Sequence, residues 1–197
     1  VASTKFPPNS LKEMVAYVKA HPGKINYASS GISSQNTLEM EQFRKAAGLD
    51  MLMVPYKGIA LATPDVLSGR VTMMMGTGGS VGDMLKAGKM RALAVTSETR
   101  SAMFPGVPTF VEQGYPDVTY ELFLGLMAPA RTPPAVRKVL ADAAEQAKQD
   151  PQVRARLAAI GQELPSQNTP ELFNAFLQRE QEKMRALTKT AQIQTGR

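Results

Sequence analysis

The 197-residue chain has no cysteine, no tryptophan and a single histidine. Lack of cysteine excludes disulfides, thiol nucleophiles and cysteine-ligated metals. His21 sits in His21-Pro22-Gly23, which reads as a helix exit and turn. A catalytic base must be held against its partner, and any Ser–His–Asp arrangement would depend on this one loop residue. No paired carboxylates accompany the glycine-rich segments either, so the residues argue against an enzyme, and no metal or cofactor is expected. Aromatics are sparse at 6%, which removes the stacking platforms of single-strand nucleic-acid binders. The net charge is +6, yet Lys and Arg are scattered from Lys5 to Arg197 among 17 acidic residues. Nucleic acid is therefore not an expected partner, and a dispersed positive field suits the steering of small anions. No run of about 18 apolar residues exists to form a membrane-spanning helix. No signal-peptide pattern opens the chain, and its first residue is Val1 rather than methionine, as expected where a leader is cleaved or lies outside it.

At 43% hydrophobic and 20% charged, the chain is globular in composition. Its most informative stretch is Tyr27-Ala28-Ser29-Ser30-Gly31-Ile32-Ser33-Ser34-Gln35. Here a short apolar strand, Ile25 to Ala28, enters a small-residue loop and then a helix running from Ser34 to Ala47, ended by Gly48. The first N–H groups of a helix lack partners and carry partial positive charge, and Gly31 lets backbone approach a ligand. The segment reads either as an anion site or as an ordinary serine-rich N-cap. Ser10 to Glu13 matches a capping box for a first helix through Leu11, Met14 and Val18. Strands are expected at Met51–Pro55, Val71–Met75 and Met90–Thr96, with helices at Ala60–Leu67 and Val81–Ala87. This alternation predicts an α/β fold with a mostly parallel sheet, whose ligands bind at the carboxyl ends of the strands. The loops 29–34 and 76–80 should then share one edge. Met73, Met74 and Met75 read as core filler. Further on, Thr109 to Glu112 matches a second capping box, with Gly114 ending its helix. Tyr120 to Ala128 reads as extended. Thr132-Pro133, Asp150-Pro151 and Thr169-Pro170 each open a helix. These last helices carry apolar faces and no strand of their own to cover.

Several segments resemble one family together. They are Pro22 to Gly31, Val54-Pro55-Tyr56-Lys57-Gly58, Lys86 to Ser97, Arg100-Ser101, Pro105 to Thr109, Glu112-Gln113-Gly114 and Gly125 to Pro133. In order and spacing, from about Pro8 to Ala191, they resemble the extracytoplasmic substrate-binding receptors of tripartite tricarboxylate transporters, the Bug or TctC-like proteins. The resemblance implies a periplasmic location and a periplasmic binding protein type II-like fold. It implies a small carboxylate as ligand, delivered to membrane permease subunits. Residues 1–9 would be a crossover strand or linker from a first lobe, 10–121 a second α/β ligand-binding lobe, and 122–197 a crossover plus C-terminal helices belonging to the first lobe. Family members carry about a hundred further residues ahead of this chain, an ordinary domain size, holding the export signal and a glycine-rich ligand loop. Three departures bear on the site. The family often has histidine where this chain has Thr37, and aspartate where it has Gly76. The family's proline in the same loop is replaced by Gly79, which implies a more flexible loop.

On this reading Ser29, Ser30, Ser33 and Ser34 donate hydrogen bonds to a carboxylate, beside the N–H groups of Gly31 and Ile32. Thr77 and Ser80 act likewise from the Gly76 loop, and Tyr56 closes one wall unless it is a buried structural tyrosine. Phe123 stands where the family often places an aromatic near the cleft, with plain core packing as the alternative. A second reading is a nucleotide-binding α/β enzyme using Gly76-x-Gly78-x-x-x-Gly82, with Glu98 placed for a ribose. A third is a truncated fragment without binding activity, self-associating as a homodimer or by exchange of elements through its exposed C-terminal helices.

Overall fold

The computed structural model describes residues 1–32, 34–162, 164–165 and 169–190, the side chains of 187–190 excepted. Residues Val1–Glu121 form one compact unit and Leu122–Ala186 a second. The first is built on a five-stranded sheet ordered β3-β2-β4-β1-β5. Its strands are β1 (Ala2–Ser3), β2 (Ile25–Ser29), β3 (Met51–Pro55), β4 (Met73–Met74) and β5 (Met90–Arg91). Strand β2 runs parallel to both β3 and β4. Strand β1 lies antiparallel between β4 and β5, pairing Ala2 with Met73 and with Arg91. The sheet is thus mixed but mostly parallel. The expected strands 71–75 and 90–96 are shorter than the sequence implies, forming ladders only at Met73–Met74 and Met90–Arg91.

Helices α1 (Leu11–Ala20), α2 (Gln35–Ala47), α3 (Thr63–Ser68) and α4 (Gly78–Lys86) cover the sheet. In β2, Tyr27, Ala28 and Ser29 are successive and all buried. Successive strand residues point to opposite faces, so both faces of β2 are covered, as a parallel sheet requires. On one side Ala28, Met74 and Met90 pack with Ala62, Val66, Val71 and Val81. Phe43 of α2, 1% exposed, meets Phe110 and Tyr115 edge to face at 4.9 and 5.1 Å. Met73 and Met74 are core residues as expected, at 3% and 1% exposure.

Local signals act as capping chemistry directs. Ser10 Oγ accepts the Glu13 N–H at 3.2 Å, while Glu13 reaches back to the Asn9 N–H at 2.8 Å. Gly48 ends α2 at φ 62, in the left-handed region. Expected helix 60–67 is a 3-10 turn, Ile59–Ala62, followed by α3 with Pro64 in its first turn. The Thr109–Glu112 box closes reciprocally, at 2.9 and 3.0 Å, but it frames one turn instead of a helix. Gly114, at φ 88, ends it before a second turn can form.

The second unit contains α5 (Pro134–Gln149), α6 (Pro151–Ala159) and α7 (Pro170–Thr190) as far as Ala186. Asp150 caps α6, accepting from the Gln152 and Val153 N–H groups at 2.7 and 3.3 Å. Thr169 Oγ1 accepts the Leu172 N–H at 3.3 Å. At Thr132-Pro133 the expectation fails by one residue: Pro133 holds the cap position of α5 and no side chain caps it. Neither α5 nor α6 buries a residue fully. The stretch 120–128 forms no strand.

Candidate ligand-binding site

Because β4 and β3 flank β2 and all three run parallel, their carboxyl ends face one way. From β2 emerges the loop to α2, from β4 the segment leading to α4, and from β3 residue Tyr56. The pairing Ala28↔Met74 brings Ser30 and Gly76 off neighbouring strands two residues beyond the last ladder pair. The first turns of α2 and α4 therefore open at the same sheet edge, where partial positive charge collects.

Ser34 occupies the N-cap position of α2 with extended backbone, φ −74 and ψ 146, yet its side chain makes no cap bond. Its hydroxyl instead donates to the Gly31 carbonyl at 2.7 Å and lies 2.8 Å from Thr37 Oγ1. Thr37 Oγ1 is also 2.6 Å from Ser29 Oγ, in full burial. Ser29 Oγ accepts the Gly31 N–H at 3.2 Å, and Ser30 Oγ donates to Asn36 Oδ1 at 2.6 Å. The described serines of the loop thus bond to the loop itself and to the first turn of α2. Among the described residues, the backbone N–H groups of Gln35 and Asn36 meet no acceptor, and the buried Nδ2 of Asn36 has no partner. An uncapped helix N-terminus with a spare side-chain amide is a set of donors without acceptors. Ile32 is 60% exposed beside it. Ser33 lies outside the described residues.

In the neighbouring segment, Thr77 caps α4, its Oγ1 accepting the Ser80 N–H at 3.3 Å, while Ser80 Oγ donates to the Thr77 carbonyl at 2.9 Å. Expected to be a flexible loop, Gly78 to Ser80 are instead the first turn of α4, which begins three residues before the expected Val81. Gly76-x-Gly78-x-x-x-Gly82 is consequently mostly helix, and no glycine-rich cradle for a nucleotide phosphate forms there. Tyr56 donates its N–H to the Ser29 carbonyl at 2.7 Å and its hydroxyl to Asp65 at 2.6 Å, and its ring packs on the core cluster. Burial, then the Asp65 carboxylate, pushes its phenol up to about 12. Its polar tip is thus committed to α3. Phe123 belongs to the second unit, where it packs edge to face on Phe176 at 4.9 Å and on Phe173 at 6.1 Å. His21 leaves α1 with Nδ1 2.8 Å from the Tyr17 carbonyl and its ring stacked on Tyr17. Sequence reading missed Asn36. Its signal was a polar side chain two residues into a helix whose capping serine has a glycine carbonyl within reach. No group of three or more His, Asp or Glu suited to a metal occurs among the described residues.

Residues 1–193 match the family described as "Tripartite tricarboxylate transporter family receptor" (TctC). The protein BugT of Bordetella pertussis is 34% identical over 177 residues, covering 90% of this chain and 54% of BugT. Periplasmic binding protein BugD superposes with a TM-score of 0.84 at 32% identity, covering 98% of this chain and 64% of that one. R. palustris Rpa4515, solved with adipate, superposes with a TM-score of 0.85 at 26% identity and the same coverage, 98% and 64%. The chain spans about half the length of such curated relatives.

Proposed function

The chain belongs to the tripartite tricarboxylate transporter receptor family, and from that membership we propose that it forms part of a periplasmic receptor that captures a small carboxylate. The family is one of receptors, not of catalysts. The observation that carries the reading is the uncapped N-terminus of α2. Among the described residues its Gln35 and Asn36 N–H groups and the Asn36 amide nitrogen meet no partner, at an edge shared with the first turn of α4. A carboxylate has no hydrogen and several lone pairs, so it needs such donors. Charge-assisted hydrogen bonds contribute about 1.5–3 kcal/mol each, and three or four suffice for micromolar binding after association costs. Exposed Ile32 suits the methylenes of a longer acid. Gly31, Ile32, Ser30 and Thr77 are the proposed loop contacts. Delivery of the ligand to membrane permease subunits follows the family pattern.

Calorimetric titration of the chain with adipate, with NAD as the nucleotide control, tests this. Saturable heat with adipate and none with NAD is expected. Saturation by NAD alone would overturn the reading in favour of a nucleotide-binding protein.

A further inference from the structure

The hydroxyl hydrogens around Gly31 can be assigned one by one. Each serine or threonine hydroxyl has a single hydrogen. Ser34 spends its own on the Gly31 carbonyl, which can only accept, at 2.7 Å. Thr37 must then be the donor in its 2.8 Å pair with Ser34. With that hydrogen used, Ser29 must be the donor in the 2.6 Å pair with Thr37. Ser29 in turn accepts the Gly31 N–H at 3.2 Å. The donors run one way round a ring, from Gly31 N–H through Ser29, Thr37 and Ser34 to the Gly31 carbonyl. Ser30 spends its hydrogen on Asn36.

We propose that Thr37 is a positioning residue: its hydroxyl joins the two halves of this ring, fixes the Gly31 peptide, and leaves a bound carboxylate to amide N–H donors instead of serine hydroxyls. The proposal rests on the carboxylate reading above and offers an alternative to the expectation that the Ser29, Ser30 and Ser34 hydroxyls are the ligand's donors. Gly31 has φ 121, a conformation L residues rarely adopt, and nothing lies within 4 Å of a Cβ built there. Its role is therefore conformational, and a ring gripping both its N–H and its carbonyl holds that conformation. Thr37 and Ser29 are 1% and 0% exposed, so neither hydroxyl has water as an alternative partner. The ring's remaining lone pairs are acceptors and repel an anion. Among the described residues, the first-turn N–H groups of α2 that meet no acceptor are those of Gln35 and Asn36, with the buried Asn36 Nδ2 beside them.

The test uses Thr37→Val, which keeps the shape and deletes the hydroxyl, and Thr37→Ser, which restores it. Adipate affinity should fall by about tenfold in Thr37→Val and return to within about twofold in Thr37→Ser, as for a hydrogen bond lost and regained. Without any ligand, exchange of the Gly31 amide hydrogen should quicken by about tenfold in Thr37→Val and recover in Thr37→Ser. Ser34→Ala, which breaks the ring at its half-buried member, should quicken the same amide and serves if Thr37→Val does not fold. Unchanged Gly31 exchange in the folded variants overturns the proposal, as does a loss of affinity that Thr37→Ser fails to restore. If the unsubstituted chain ignores adipate, the carboxylate reading fails, and Gly31 exchange still decides whether the ring exists.

Discussion

Val81 fills the space beside Gly76: a Cβ on residue 76 would stand 2.7 Å from Val81 Cγ1. The aspartate that the family often carries at this position has no room here, because a buried valine on α4 occupies it. Gly76→Asp should destabilise the first unit by about 1–3 kcal/mol, the usual cost of overpacking. Combined with Val81→Ala it should cost less than the two single changes added together. Urea midpoints for the four proteins of the cycle check this, and strict additivity would show that the contact is relieved by other means.

Asn36→Asp separates binding from stability. The substitution keeps an acceptor for Ser30 and replaces the unpartnered amide nitrogen with negative oxygen. A carboxylate in the first turn interacts well with the helix dipole, so stability should hold or rise by about 0.3–1 kcal/mol. Affinity for adipate should fall at least about tenfold from like-charge repulsion and the lost donor. Thermal melts and calorimetry read the two effects, and undiminished affinity would place the ligand away from the first turn of α2.

Glu41 accepts hydrogen bonds from Arg44 and from the Tyr27 hydroxyl. Burial pushes its carboxyl up, but the bonds from Arg44 and Tyr27 outweigh this and hold it below its ordinary value of 4.5. A depressed folded-state pKa contributes stability that is present above the unfolded value and lost as pH falls through the folded one. Glu41→Gln should therefore cost about 1–2 kcal/mol at pH 7. The gap from the parent protein should narrow steadily once the pH drops below 4.5. Denaturant curves at neutral and acid pH measure it; a gap that widens in acid would reverse the sign.

Tyr56→Phe removes the hydroxyl bonded to Asp65 but leaves the Arg70–Asp65 ion pair in place. A loss of about 1 kcal/mol is expected from one hydrogen bond. In an alkaline absorbance titration, the variant should lack one phenol ionising at about 12. Adipate affinity should change little, since the tyrosine tip serves α3. A large loss of affinity would return Tyr56 to the ligand.

What could be read from the sequence was what short stretches decide alone. Ser10, Asp150 and Thr169 cap as their neighbours imply, and Gly48 ends α2 through its own backbone freedom. Strands β2 and β3, apolar and bounded by loops, lie where the pattern puts them, and the ordered motifs were enough to indicate the family. Capping chemistry, however, does not set length. The box at Thr109 and Glu112 closes, yet Gly114 at φ 88 stops the chain after one turn.

The tertiary structure decided everything that joins distant residues. The two residues of β1 carry no periodicity, and only pairing with Met73 and Arg91 makes them a strand that divides the parallel set. The four serines suggested donors for an anion because their composition is visible and their partners are not. Ser29 ends a strand and Thr37 sits in a helix; folding brings their hydroxyls to 2.6 Å and spends a hydrogen the sequence left free. A hydroxyl is donor or acceptor according to its neighbours, so the amino-acid order shows a cluster of hydroxyls, while the packed loop decides which of their hydrogens are already spent.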